Sequence, residues 1–195
     1  MRRFLIAATL LAAAAPAAAQ FSDAYNFLKA VRENDMYKAQ TIIRQPGSTA
    51  VNTRDMQSGD QALHIVTRKR DMNWMRFLIS NGADINGRDG AGNTPLLIAA
   101  AGGFPEGVRL LIQLRAGIDT PNSAGETPLI KAVQARDTET VTALLSGGAN
   151  PDKTDSIAGM SARDYAARDR RSAQLLKLMD TIKAEKAAKQ VGPSK

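Results

Sequence analysis

His64 is the one histidine in the chain, and so the one side chain whose ordinary pKa suits acid–base work near neutral pH. A catalytic base needs an oriented partner, and none is identifiable in the sequence. Asp84, Asp89, Asp119, Asp152 and Asp155 fall in segments that read as turns, where aspartate hydrogen-bonds its own backbone and stiffens the turn. No Asp-x-Asp-x-Asp-Gly run gathers the oxygen ligands of a calcium loop. Absence of cysteine removes thiol catalysis, thiolate metal sites and disulfides together. Gly90-Ala91-Gly92 is too short, and lacks a preceding strand, for a dinucleotide-binding loop. The residues therefore predict no catalytic site, no metal and no cofactor. The sharpest basic cluster, Arg68-Lys69-Arg70, closes a helical segment, where cations meet the negative end of the helix dipole.

The elements that position these groups follow from a repeat. Gly92-Asn93-Thr94-Pro95-Leu96-Leu97-Ile98-Ala99-Ala100 returns as Gly125-Glu126-Thr127-Pro128-Leu129-Ile130-Lys131-Ala132-Val133, 33 residues on, and 33 residues before Leu96 stands Leu63. Thr94 can cap a helix through its hydroxyl, and Pro95 can take the first helical position, where no amide donor is missed. Leu96, Ala99 and Ala100 then share a buried side. Gly102-Gly103 ends that helix, Pro105 starts a second, and Val108, Leu111 and Ile112 fall at i, i+3 and i+4 on one face. Met75, Leu78 and Ile79 repeat that face one unit earlier. Glycine after the last turn, as at Gly82 and Gly148, is the expected left-handed cap, and the register puts Arg115 at the same place.

This pattern resembles the ankyrin repeat family. The motifs that carry the resemblance are the Thr-Pro-Leu openings at Thr94 and Thr127 and the run Gly82-Ala83-Asp84-Ile85-Asn86, which matches the family's Gly-Ala-Asp-x-Asn signature. The resemblance implies an all-α solenoid of about five stacked helix-turn-helix repeats with β-turn loops between them. Each unit buries its apolar face on its neighbours, and the terminal units act as caps. Expected repeats run over about 21–53, 54–87, 88–120, 121–153 and 154–182, within a domain of 20–182. The resemblance also gives His64 the place of a structural histidine that ties neighbouring loops, although Gln61 replaces the usual threonine and alters that network. Trp74 is expected in the core, and Phe104, in a helix–helix turn, partly exposed.

Two segments lie outside the repeats. Met1-Arg2-Arg3, the apolar run from Phe4 to Ala15 and Ala17-Ala18-Ala19 before Gln20 fit a secretory signal peptide over 1–19; the apolar run itself, from Phe4 to Ala15, is well short of the ~20 residues that span a bilayer. That predicts a periplasmic or secreted protein, with no transmembrane segment. The other segment is a basic helical tail over 183–195. The net charge of +7 permits attraction to polyanions without arguing for it.

Ankyrin arrays bind proteins far more often than they do chemistry. The resemblance therefore implies a monomeric, non-enzymatic scaffold holding a protein partner on its concave face, with no nucleic acid expected. The alternative is attraction to a polyanion or an anionic membrane surface through the basic C-terminal segment. Mapped by register, the concave strip comprises Gln57, Asp60, Arg68, Arg88, Asn93, Ser123, Glu126, Gln134 and Arg168. Arg68 and Arg88 are the preferred anchors, because arginine is over-represented among residues that dominate interface energy.

Overall fold

Among the described residues, ten helices fall into five consecutive pairs: α1 (Ala14–Glu33) with α2 (Met36–Ile43), α3 (Ala62–Arg68) with α4 (Met72–Ser80), α5 (Pro95–Ala101) with α6 (Pro105–Gln113), α7 (Pro128–Ala135) with α8 (Thr138–Gly147), and α9 (Ala162–Arg168) with α10 (Ala173–Gln190). This computed structural model describes the backbone of residues 14–190 and the side chains of residues 23–182. Residues 1–13 of the expected leader and the side chains of the expected tail lie outside the described residues.

Local chemistry starts these helices where the sequence placed them. The Thr94 hydroxyl accepts from the Leu97 amide (3.2 Å) and the Thr127 hydroxyl from that of Ile130 (3.2 Å). Ser161 does the same for the Asp164 amide at the start of α9, and the Asp164 carboxylate returns the bond to the Ser161 amide (2.9 Å). Second helices begin on Asp35, Asp71 and Asp137, whose carboxylates cap the first turn. The third pair departs from that rule. Phe104 stands where the others have aspartate, Pro105 follows, and the Phe104 ring is buried rather than partly exposed. It lies so close over Gly107 that a β-carbon there would stand 2.5 Å from ring carbons. Glycine inside α6 is the condition for burying this ring.

The first helices stack side by side, α1 on α3, α3 on α5, α5 on α7 and α7 on α9, while α6 packs on α8 and α8 on α10 in a second layer. Leu63, Leu96, Leu111, Leu129 and Leu144 are almost fully buried between them, and the small Ala99, Ala100 and Ala132 let the inner layer approach closely. Trp74 is core, as expected. It meets Phe77 edge-on at 5.6 Å between ring centroids, and its indole N–H donates to the Asn34 side chain. The architecture is the all-α solenoid of stacked helix pairs that the repeat pattern implies.

Neighbouring units are also joined through their loops. The amides of Gly90, Ser123 and Ser156 donate to the carbonyls of Ser58, Ala91 and Ala124, at 2.9, 3.1 and 3.0 Å. A second column runs beside the first: Asn52, Asn86 and Asp119 accept from the amides of Asp84, Gly117 and Asn150 in the following unit. The basic cluster at the end of α3 serves neighbours as well. Lys69 donates to the Val31 and Arg32 carbonyls that end α1, and Arg70 donates to the Gly102 carbonyl that ends α5. The dipoles these two cations meet belong to the adjacent units.

Arg115 adopts φ 66°, a left-handed conformation that Gly82 (86°) and Gly148 (108°) hold at the equivalent ends of α4 and α8. A β-carbon costs about 1 kcal/mol there. Arg115→Gly should therefore raise the urea midpoint by that amount of stability; an unchanged or lower midpoint would show that the arginine side chain compensates its own backbone.

Candidate functional site

Between α3, α5 and α7, on the inner layer, lies a groove of about 520 Å³. Its floor comes from α5 and the turn after it: Leu97, Ile98, Ala101 and Phe104. Leu96, Ala99 and Ala100 already fill the core side of α5, so Leu97 and Ala101, at i and i+4, give the helix a second apolar face. One wall is the end of α3, with Thr67, Arg68 and Arg70, and the other carries Asn122, Glu126 and Lys131.

A continuous polar rail borders this groove across three units. Arg68 bridges Asp60 (2.7 Å) and Asp89 (2.8 Å). Asp89 in turn accepts from the Ala91 and Asn93 amides (2.9 and 2.8 Å) and from the Asn93 side chain (3.0 Å). Asn93 accepts from the Asn122 amide group (3.2 Å), Asn122 donates to Glu126 (2.9 Å), and Lys131 donates to Glu126 (3.1 Å). Burial presses both carboxyls toward neutrality, but the hydrogen bonds and cations prevail and hold them below their ordinary values: Asn93, Ala91 and Arg68 for Asp89, Asn122 and Lys131 for Glu126. Both are ionised at neutral pH and fixed in place before any partner arrives.

His64 sits beneath the rail, fully buried. Its Nδ1 accepts from the Gln61 amide (3.0 Å), which leaves Nε2 as the donor to the carbonyls of Gly87 (3.0 Å) and Asn93 (3.2 Å). Burial, the largest influence, lowers its pKa and keeps the ring neutral. Its lone pair is engaged and its faces are covered, so it ties loops together. Gln61 donates to the Asn52 carbonyl (3.1 Å), while its Oε1 is buried without a hydrogen-bond partner among the described residues. At the equivalent places Thr94 and Thr127 cap with a hydroxyl, so the altered network is visible here.

Of the nine residues mapped from the sequence, the rail brings together Asp60, Arg68, Asn93 and Glu126. Ser123 is exposed at a loop tip, where its backbone amide belongs to the loop ladder. Arg88 is exposed at the loop base, its guanidinium donating to the Pro121 carbonyl (2.7 Å). Gln134 and Arg168 are exposed near the ends of α7 and α9, outside the groove lining. Gln57 borders a different hollow, of about 690 Å³, beside Tyr25 and Met56 at the N-terminal end of the array. Sequence reasoning did not select Arg70, Leu97, Ala101, Asn122 or Lys131. The second apolar face of α5 was the available signal for Leu97 and Ala101; the others depend on contacts between units.

Among the described residues, no group of three or more His, Cys, Asp or Glu side chains could hold a metal ion, and no helix is long and apolar enough to cross a membrane. Stacked helix pairs with a rail of loop side chains over a helical groove define a repeat-type binding module. Residues 27–124 and, overlapping them, 63–155 match the family described as Ankyrin repeats (3 copies). The chain belongs to the ankyrin repeat family. Among curated proteins it is similar to protein phosphatase 1 regulatory subunit 27 of Homo sapiens, 34% identical over 80 residues, which are 41% of this chain and 51% of the relative. The chain thus matches about half the length of that protein. Family and relative together point to protein–protein interaction by a non-catalytic module.

Proposed function

We propose that the chain is a monomeric, non-enzymatic scaffold of an exported compartment, the periplasm or the exterior, and that it holds a segment of a partner protein in the groove over α3, α5 and α7. The observation that carries this reading is the rail from Asp60 to Lys131. It spans three units and fixes a polar rim around an apolar floor, so a partner meets a surface whose ordering cost has already been met. The human relative's name describes a regulatory subunit. Here it supports the manner of working, which is binding; its phosphatase is not carried over. Export rests on the charged start, the short apolar run and Ala17-Ala18-Ala19. The described core residues of α1, Phe27, Leu28, Ala30 and Val31, lie beyond a cut at Ala19/Gln20, so removal of the leader would leave them in place. Mass spectrometry of the protein from its host tests this, and an intact N-terminus in a cytosolic fraction would overturn it.

The groove itself is tested by filling it. Ala101 is exposed on α5, so Ala101→Trp should leave the melting temperature close to wild type and abolish capture of the partner from a host extract. Gln113→Trp, at an exposed position on α6, should change neither. The reverse pattern would move the site away from the groove. Capture that collapses between low and moderate salt would favour the polyanion alternative.

A further inference from the structure

The charges around the groove are not evenly accessible. Asp89, Asp60 and Glu126 expose 4%, 14% and 22% of their side chains, whereas Arg68 exposes 44% and Lys131 27%. The rail's carboxylates are covered by the groups they bind, and its cations are turned more to solvent. The rail's three carboxylates outnumber its two cations by one, yet the group it exposes most is the Arg68 guanidinium. Arg70 brings the rim to charge balance and offers a second guanidinium to solvent. It is exposed, and its guanidinium donates to the neutral Gly102 carbonyl; among the described residues it has no carboxylate in ion-pair contact, whereas Arg68 and Lys131 are each matched by one or more. A guanidinium has five N–H donors in a planar fork, and the bond to Gly102 holds the fork without using most of them.

We infer that the groove accepts an extended acidic peptide segment, with an aspartate or glutamate carboxylate on Arg70 and a neighbouring apolar side chain against the exposed Ala101, beside Ile98. This deepens the function proposed above and rests on it. The floor argues for a peptide: it is aliphatic, and its aromatic residue, Phe104, is buried, so it offers no platform on which a nucleic-acid base would stack. The volume lies within the ~300–1,000 Å³ of ordinary ligand pockets, room for a few side chains. Arg70 is an anchor that can be removed without rebuilding the turn. It holds φ 56°, where asparagine is tolerated, and Asn34 holds φ 62° at the equivalent place before α2.

The test is selection of a random-peptide phage library on the folded chain, followed by anisotropy titration of the synthesised winning peptides against wild type, Arg70→Asn and Ala101→Trp, with melting curves for all three. The expected result is enrichment of aspartate or glutamate beside leucine, isoleucine, valine, methionine or phenylalanine. Arg70→Asn should weaken these peptides by about ten-fold or more while lowering the melting temperature by no more than ~2–4 °C for the lost bond to Gly102, and Ala101→Trp should abolish them. Peptides that Ala101→Trp blocks but that carry no acid, or that Arg70→Asn leaves unaffected, would overturn the acidic assignment while sparing the groove. Peptides indifferent to Ala101→Trp would overturn the groove as well. A labelled single-stranded oligonucleotide that displaces the winning peptides at equal concentration would replace the acidic peptide by a polyanion.

Discussion

Leu111→Ala should remove about 2–5 kcal/mol from the array, the largest loss expected of any single truncation described here. Leu111 is fully buried on α6, in the middle unit, with α5 of its own pair beside it and α8 of the next against the same helix. Neighbours on both sides are held by their own loops and cannot collapse into the space, so most of the cavity stays open. Leu114, 40% exposed at the end of the same helix, is the control: Leu114→Ala should cost no more than about 0.5 kcal/mol. Urea melts of the two variants decide the matter. Equal midpoints would place Leu111 outside the central core.

Asp89→Ala should cost roughly 3 kcal/mol. The change strips the acceptor from the Ala91 and Asn93 amides and from the Asn93 side chain, and leaves Arg68 with Asp60 alone. Those donors are part-buried, so water replaces the lost bonds only in part. Asp84→Ala, at an exposed residue whose side chain accepts from the Asn86 amide, should cost less than about 1 kcal/mol. Acid should imitate the larger loss. The folded-state pKa of Asp89 lies below 3.8, so its contribution is complete above that value and disappears as pH falls through the lower, folded one. Asp169 behaves alike: the Arg136 side chain and the Arg171 amide pull it to about 2. Wild-type stability should therefore fall steeply below pH 3.8, and Asp89→Ala should fall less steeply because part of that dependence is already gone. Parallel acid profiles would show that Asp89 is not one of the groups that titrate with unfolding.

What could be read from the sequence was what the chain decides locally. The Thr94 and Thr127 caps and the i, i+3, i+4 face of Val108, Leu111 and Ile112 depend on residues within a few positions of one another, the left-handed Arg115 follows from the repeat register, and each stands in the structure where the repeat put it. The structural role of His64 was legible for a related reason, since its place in the motif fixes which loops it can reach. Phe104 was misread because its burial depends on a bare backbone at Gly107, three residues away but one helical turn above, an interaction that hydrophobic periodicity does not report. The rail was legible only as separate residues. Its bonds join positions such as Arg68 and Asp89, or Asn93 and Asn122, whose meeting depends on how one unit seats on the next. For the same reason Lys69 and Arg70 were assigned to the end of their own helix when they close the helices on either side.

The loop ladder has a consequence for how such a protein can change over generations. Each rung from one tip to the next runs from a backbone amide to a backbone carbonyl, and its steric demand falls two residues beyond the tip, where a β-carbon on Gly59, Gly92 or Gly125 would stand 2.6, 2.8 or 2.4 Å from the donating nitrogen of Gly90, Ser123 or Ser156. With those glycines kept, tip residues as unlike as Gln57, Gly90, Ser123 and Ser156 stand at equivalent places in adjoining loops of one array. Attachment is inherited with the chain itself, and the outward-facing letters remain free to be rewritten. A lineage could exchange one partner for another by altering a few tip and groove residues, each step leaving the loops clasped and the cores untouched.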